Sequence, residues 1–342
     1  MSTTETSPSD PDAAPVAPRA GRLLLIDGHS MAFRAYYALP VDSFTTSTGQ
    51  ATNAVHGFIS MLLSLLEQER PTHLAVAFDL PGGTFRTREY PDYKANRDET
   101  PQPLIGQIEL IEDLLAAMGV RAVTAPDYEA DDVLATLAAR AQAEDLEVLV
   151  CSGDRDSFQL ITENCTVLQP VRGGSAPRRM TPAQVRERYG VSPERYPHLA
   201  ALVGETSDNL PGVPGVGPKT AAKWLNLYDG LDGVIAHAGQ IRGRAGASLR
   251  EHLDDVVRNR RLNRLVTDVD LGIDPLRDLR PGGAGREELA RIMEALELRS
   301  LHRRAQRVLT FRDDAGSGDG SGDPVRERLA ALEIAVLGRQ VE

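Results

Sequence analysis

The chain has 342 residues, of which 41% are hydrophobic and 25% charged, with 30 glycines and 22 prolines; this excludes collagen-like, coiled-coil and wholly disordered classes and suits two domains with tails. No apolar run approaches the ~18 residues of a membrane span and the N-terminus lacks the basic-then-apolar order of a secretion signal, so a cytoplasmic protein away from membranes is expected. The net charge of −11 argues at first against a nucleic-acid partner, but it averages −12 over residues 21–169 with +6 over residues 170–265.

Residues 1–20, rich in Ser, Thr, Pro, Ala and Asp, read as a disordered tail. Beyond them, β-rich runs at 23–27, 73–79, 120–125, 146–154 and 165–169 alternate with helical patterns around 53–68, 103–118 and 129–143. That order predicts an α/β fold, a parallel sheet covered by helices. Asp27, Asp79 and Asp154 each stand at or just past the carboxyl end of an apolar run, the edge where open α/β sheets bind ligands. One such Asp is as often a turn residue or a helix cap. Three of them repel one another unless a cation sits among them.

The helix predicted over 129–143 brings more acid to that edge, with Asp127 as its cap and Glu129, Asp131 and Asp132 in its first turn. The helix dipole alone would explain them, but they meet the three aspartates. Asp156 stands two residues from Asp154 on one turn. Carboxylates without His or Cys favour a hard octahedral ion, Mg²⁺ or Mn²⁺ rather than Zn²⁺. Cys151 and Cys165 have no metal-ligand spacing and are expected to be buried and reduced.

Further along, Gly212, Gly215 and Gly217 in LPGVPGVGPKTAAKWL permit a tight hairpin between helices. Backbone N–H groups at the following helix start can hold a phosphate without reading a base. The basic run Arg258, Arg260, Arg261 and Arg264 suits further backbone contacts, or for about half of them a solvated helix face. Residues 313–324 read as a flexible linker. Residues 325–342 read as a short amphipathic helix, apolar at Val325, Leu329, Leu332, Val336 and Leu337, that docks on the core or on a partner.

Five segments, LLLIDGHSMAFRAYYALP, VAFDLPGGTFRTREYPDYKANR, YEADDVLATLA, CSGDRDSFQL and LVGETSDNLPGVPGVGPKTAAKWL, resemble in the same order the 5′-nuclease family of bacterial DNA polymerase I, flap endonucleases and phage exonucleases. The resemblance covers residues 22–300 and includes no polymerase domain. It implies a PIN-like catalytic domain over 21–180, with a helical arch around 82–100, and a helix-hairpin-helix domain (H3TH, SAM-like) over 181–312. Two or three Mg²⁺ or Mn²⁺ ions are implied. Asp27, Asp79 and Asp131, with Glu129 through a water, match the ligands of the first; Asp131, Asp154, Asp156 and Asp208 match those around the second, and Asp132 matches a further acid. Glu205 stands where the family motif has Asp, one methylene shorter, and this alters an outer contact or a third ion.

The same resemblance matches Lys94 and Arg97 to basic residues of the arch, with Arg86 nearby and Tyr93 able to stack on a displaced base; Lys94 would offset charge on the phosphate. Arg34 matches a basic position after Asp27. Lys219 and Thr220 follow the hairpin, whose loop carbonyls can hold K⁺. The implied protein is a monomeric, nucleoid-associated 5′-3′ exonuclease and flap endonuclease of replication and repair. Its substrates would be 5′-flap, nicked or gapped DNA and RNA–DNA hybrids, its products 5′-phosphates, and its partners a DNA polymerase or sliding clamp. Two other readings are a PIN-type ribonuclease and an inactive DNA-binding module, the latter disfavoured because the inner carboxylates and Lys94 are present. A dinucleotide enzyme lacks its GxGxxG after the first strand.

Overall fold

A computed structural model describes residues 21–171 and 176–311; the expected N-terminal tail, the 313–324 linker and the 325–342 helix lie outside the described residues. The first half runs β1 (Gly21–Asp27), α1 (Gly28–Ala38), α2 (Asn53–Glu69), β2 (His73–Ala77), α3 (Phe85–Glu89), α4 (Gln102–Ala117), β3 (Arg121–Val123), α5 (Ala130–Ala143), β4 (Leu146–Cys151), β5 (Cys165–Gln169) and β6 (Arg178–Met180). These strands form one six-stranded sheet in the order β3-β2-β1-β4-β5-β6, parallel except for the antiparallel edge strand β6.

The central strands read as unbroken apolar runs because helices cover both faces. On one face Leu23, Leu25, Val148 and Val150 pack with Val133, Leu134 and Leu137 of α5. On the other, Leu24, Ile26 and Leu149 pack with Phe58 and Leu62 of α2 and Leu114 of α4. From β1 the chain builds outward through β2 and β3, then returns to add β4 and β5 on β1's other side. The strand order therefore reverses between β1 and β4, which leaves a crevice at their carboxyl ends.

The second half is mostly helical: α6 (Pro182–Tyr189), α7 (Tyr196–Val203), a short hairpin of β7 (Gly204–Glu205) and β8 (Leu210–Pro211), α8 (Pro218–Leu227), α9 (Leu231–Ala236), α10 (Gly243–Glu251), α11 (Leu253–Asn263), α12 (Pro275–Asp278), α13 (Arg286–Ala295) and α14 (Arg299–Val308). The α5-side core continues into it through Leu199, Leu225 and Val256. The last two helices return to the opposite face, where Leu289, Ile292 and Leu301 join the core of α2 and α4. Among the described residues no helix is long and apolar enough to cross a membrane.

Two local expectations are corrected. The cap of α5 is Glu129, not Asp127: Glu129 and Asp132 form a reciprocal capping box, while Asp127 adopts a left-handed φ of 73° and pairs with Arg88. The segment 82–100 contains the five-residue α3 and then turns. Pro91 cannot continue that helix, and Lys94 follows in the left-handed region at φ 58°.

Candidate metal centre at the sheet edge

The acids that the sequence directs to the sheet edge differ in what they touch. Asp27 ends β1, where its carboxylate accepts the Ser30 amide (3.0 Å) at the start of α1 and the Ser152 hydroxyl (2.8 Å) at the end of β4. It is 5% exposed, and burial above all, then the neighbouring Asp79 and Asp154, raises its pKa to about 6. Asp79, just past β2, accepts the Ala130 amide (2.7 Å) at the start of α5. Its own amide donates to His29 Nδ1 (3.1 Å). That nitrogen is therefore the acceptor of a neutral ring, and burial keeps the His29 pKa low.

Asp131 and Asp156 are the most telling. Asp156 is buried and Asp131 half-buried, and the buried oxygens Asp131 Oδ1 and Asp156 Oδ1 have no hydrogen-bond partner. Burial first, then Asp27 and Asp154, pushes Asp131 well above the usual carboxylate range. Asp156 is pushed up in the same way, by burial and then by Asp154, Asp208 and Glu205. Glu205, half-buried on β7, is raised by burial and then by Asp154. A buried carboxylate with an unsatisfied oxygen is costly unless something neutralises it. A divalent cation with oxygen ligands fits this donor set. Among the described residues no three acidic, His or Cys groups stand close enough together, as they are, to hold a metal ion.

The turns after α3 supply the cations. Lys94 Nζ donates to Glu129 Oε1 (2.8 Å), and the Lys94 amide donates to the Asp208 carbonyl (3.0 Å). Burial works against the ammonium, but Glu129 and then Asp208 outweigh it and hold its pKa above the ordinary value. Arg97 donates to Asp208 Oδ1 (2.8 Å) and to the Ser207 carbonyl (3.2 Å). Asn96 and Asn209 close the same clamp, Asn96 Nδ2 onto the Thr206 carbonyl and Asn209 Nδ2 onto that of Asp92, at 2.9 and 2.8 Å. The segment 92–97 thus locks the Thr206–Asn209 turn that carries Asp208.

These contacts correct three roles that the motifs had suggested. Arg86 is 1% exposed. Its guanidinium grips Asp132 through two bonds (2.6 and 2.8 Å) and donates to the Leu262 and Arg264 carbonyls. Its donors are spent inside the protein, so it is a structural tie between α3, α5 and the end of α11 rather than a group that meets substrate. Asp132 is fully buried against that guanidinium and accepts the Glu129 and Val266 amides as well, so it faces away from the other acids. Tyr93, 4% exposed, cannot stack on a displaced base. Burial, then Glu129 and Asp208, drives its phenol pKa upward, and it donates to those two carboxylates at 3.1 and 3.3 Å.

In the helical half, Gly215 and Gly217 are exposed ahead of α8, with Lys219 exposed and Thr220 half-buried behind them. Gly215 has a left-handed φ of 79°. Gly212 serves packing instead: a Cβ there would lie 2.0 Å from the Val203 carbonyl oxygen. Arg258 pairs with Asp255 and lies over the Tyr90 ring, Arg260 pairs with Asp232 and Arg261 with Glu89. Arg34 is half-buried on α1. Residue patterns alone do not point to Ser152, His29, Asn96 and Asn209; the signal available was position, since each sits within two residues of an acid or a basic arch residue already singled out.

The family described as 5′-3′ exonuclease, N-terminal resolvase-like domain, matches residues 22–190, and that described as 5′-3′ exonuclease, C-terminal SAM fold, matches residues 191–287. The chain belongs to the 5′-3′ exonuclease family. Its sequence is 47% identical over 304 residues to DNA polymerase I of Mycobacterium bovis, covering 89% of this chain and 33% of that protein. It is 37% identical over 281 residues to DNA polymerase I of Bacillus subtilis, covering 82% and 32%. The chain thus spans about a third of the length of these relatives. In fold it is similar to the phage T5 D15 protein co-crystallised with metal ions, with a TM-score of 0.58 at 19% identity, covering 84% of this chain and 98% of that one. It is also similar to the Rad2 catalytic core in complex with DNA, with a TM-score of 0.54 at 17% identity, covering 84% and 91%. This family membership carries the PIN-like and SAM-like division and the nuclease class read from the motifs.

Proposed function

We propose that this member of the 5′-3′ exonuclease family is a Mg²⁺- or Mn²⁺-dependent nuclease that hydrolyses DNA phosphodiesters at 5′ ends and 5′ flaps, leaving 5′-phosphates. One observation carries the reading: buried, unpartnered oxygens of Asp131 and Asp156, in carboxylates that burial holds toward the protonated form, lie at the strand-order switch. Asp27, Asp79 and Asp131 would hold one ion, and Asp154, Asp156 and Asp208 with Asp131 a second. Bound there, the ions supply charge for the phosphate and lower the pKa of the attacking water.

The protein's own groups do the rest. Lys94 and Arg97 aim two positive charges at the crevice, where a phosphate arriving at the acids exchanges its oxygens for the carboxylates those cations now hold. Protonated Tyr93 keeps Glu129 and Asp208 oriented. Ser152 and the Ser30 amide fix Asp27, and the clamp of residues 92–97 fixes Asp208, so the ligand oxygens are placed before substrate binds. No nucleophilic side chain is required.

The exposed Gly215, Gly217, Lys219 and Thr220 suit a duplex phosphate, with K⁺ on the loop carbonyls. Glu205, longer by one methylene, faces the second ion's acids and favours Mn²⁺. That the relatives named DNA polymerase I are about three times longer supports work beside a polymerase, on nicked or gapped DNA and on RNA primers. The test is incubation with labelled 5′-flap DNA, nicked duplex and single-stranded RNA, with and without Mn²⁺. Metal-dependent release of 5′-phosphate products from the flap is expected; cutting of RNA alone would establish a ribonuclease, and no cutting of any of them would overturn the proposal.

A further inference from the structure

Apart from the acidic crevice, a cavity of about 790 Å³ opens between α7, α9, α11 and the short helical turn Asp156–Leu160. Arg260, Arg261 and Arg264 line it from α11 and its end, and Pro197 and the 42% exposed Val257 make its apolar wall. Glu194 and Asp232 stand among the lining residues, which leaves the lining with one positive charge in excess. The volume lies in the range of small-molecule sites, about 300 to 1,000 Å³.

The wall is braced. The Gln159 amide group donates to the carbonyls of Asp156 and Asn263 (2.9 and 3.0 Å), and Gln159 Oε1 accepts the Leu265 amide (3.0 Å). Arg86 holds the carbonyls of Leu262 and Arg264 at 2.8 and 3.2 Å. Two of these bonds cap the Leu262 and Asn263 carbonyls at the end of α11.

One lining group lacks a counterpart: Arg260 and Arg261 have the ion pairs described above, whereas Arg264 forms none among the described residues. A phosphate satisfies a guanidinium through paired charge-assisted hydrogen bonds. Pro197 and Val257 offer the apolar surface that a sugar or base requires.

We propose that this cavity is a second nucleotide site, with a single phosphate between Arg260 and Arg264 and the nucleoside against Pro197 and Val257. The nucleotide is either a free nucleoside monophosphate or one unit of a single strand. Only the second source rests on the function proposed above; binding itself does not.

Calorimetric titration of the metal-free protein in EDTA with dAMP, and separately with a short oligothymidylate, tests it without cleavage. One site is expected, with affinity reduced about tenfold by Arg264→Gln, the loss of one charge-assisted hydrogen bond. Val257→Glu, a surface change on a helix, should weaken it at least as much. Arg303→Gln on α14 should change nothing. Equal Arg264-dependent binding of the two probes assigns the site to free nucleotide, and stronger Arg264-dependent binding of the oligonucleotide assigns it to a strand. No binding of either probe at about 10 mM, no effect of Arg264→Gln, or an equal loss in Arg303→Gln would each overturn the site. Cleavage of a 5′ flap by the same preparation reports separately on the nuclease reading.

Discussion

The acidic sheet edge and the basic end of α11 look in sequence like two equivalent charge clusters of opposite sign, yet the fold treats them differently. Arg258, Arg260 and Arg261 are already neutralised by Asp255, Asp232 and Glu89. Asp131 and Asp156 each hold a buried oxygen that no hydrogen bond satisfies. A surface cation that finds a carboxylate contributes little to stability and gives up little to change partners. A buried anion without a counter-charge is a standing cost. The cluster that lacks compensation is the one that marks the chemistry.

The largest expected effect is on the acids. Asp131→Asn or Asp154→Ala should lower flap cleavage by a thousandfold or more, of order the loss of a principal charge-stabilising group, while DNA affinity, measured by anisotropy in Ca²⁺, stays near wild type. Cleavage at near the wild-type rate by either variant would break the comparison. Lys94→Ala comes next: single-turnover cleavage should fall roughly a hundredfold with a small change in affinity, because its charge acts on the reacting phosphate while binding is spread over many contacts. A normal single-turnover rate with weakened binding would reassign Lys94 to docking.

Stability sharpens the contrast further. Arg86→Ala leaves Asp132 buried without its partner and should cost about 3 to 5 kcal/mol in urea unfolding. Arg258→Ala, at a half-exposed pair, should cost no more than about 1 kcal/mol. Similar losses in the two would mean that Arg86 is not the tie described. For the acids the sign is reversed. Asp27, with its pKa at about 6, and Asp131 and Asp156, also raised, bind protons more tightly folded than unfolded. For Asp27 the penalty is therefore fully present above about pH 6 and fades as pH falls toward the unfolded carboxylate range. The metal-free wild type should gain stability relative to Asp27→Asn between pH 7.5 and pH 5, by at most roughly 3 kcal/mol; parallel pH profiles would contradict this. Smallest is Glu205→Asp, which should raise the Mg²⁺-to-Mn²⁺ activity ratio a few-fold; an unchanged ratio removes Glu205 from the metal site.

The sheet and its acids were legible because both are written locally: unbroken apolar runs of strand length, each ending in Asp, and a motif order shared with a family. What was not legible depends on partners far along the chain. Arg86 meets carbonyls at Leu262 and Arg264, and Tyr93 meets Asp208, and no local pattern distinguishes a buried Arg or Tyr from one that awaits substrate. Gly212 looked like its neighbours Gly215 and Gly217, but the β7–β8 hairpin presses it against Val203. The capping role of Glu129 was hidden by Asp127, which carries the better cap residue type in the wrong backbone conformation.

The central claim is that the sheet edge holds uncompensated negative charge that a divalent cation neutralises. Thermal unfolding of the metal-free wild type and of Asp131→Asn, each with and without millimolar Mn²⁺, tests it most directly. The account predicts that Asp131→Asn melts higher than wild type without metal, and that Mn²⁺ raises the wild-type Tm by several degrees but leaves the variant nearly unmoved. A wild-type Tm that ignores Mn²⁺, or a variant less stable than wild type in EDTA, would contradict it.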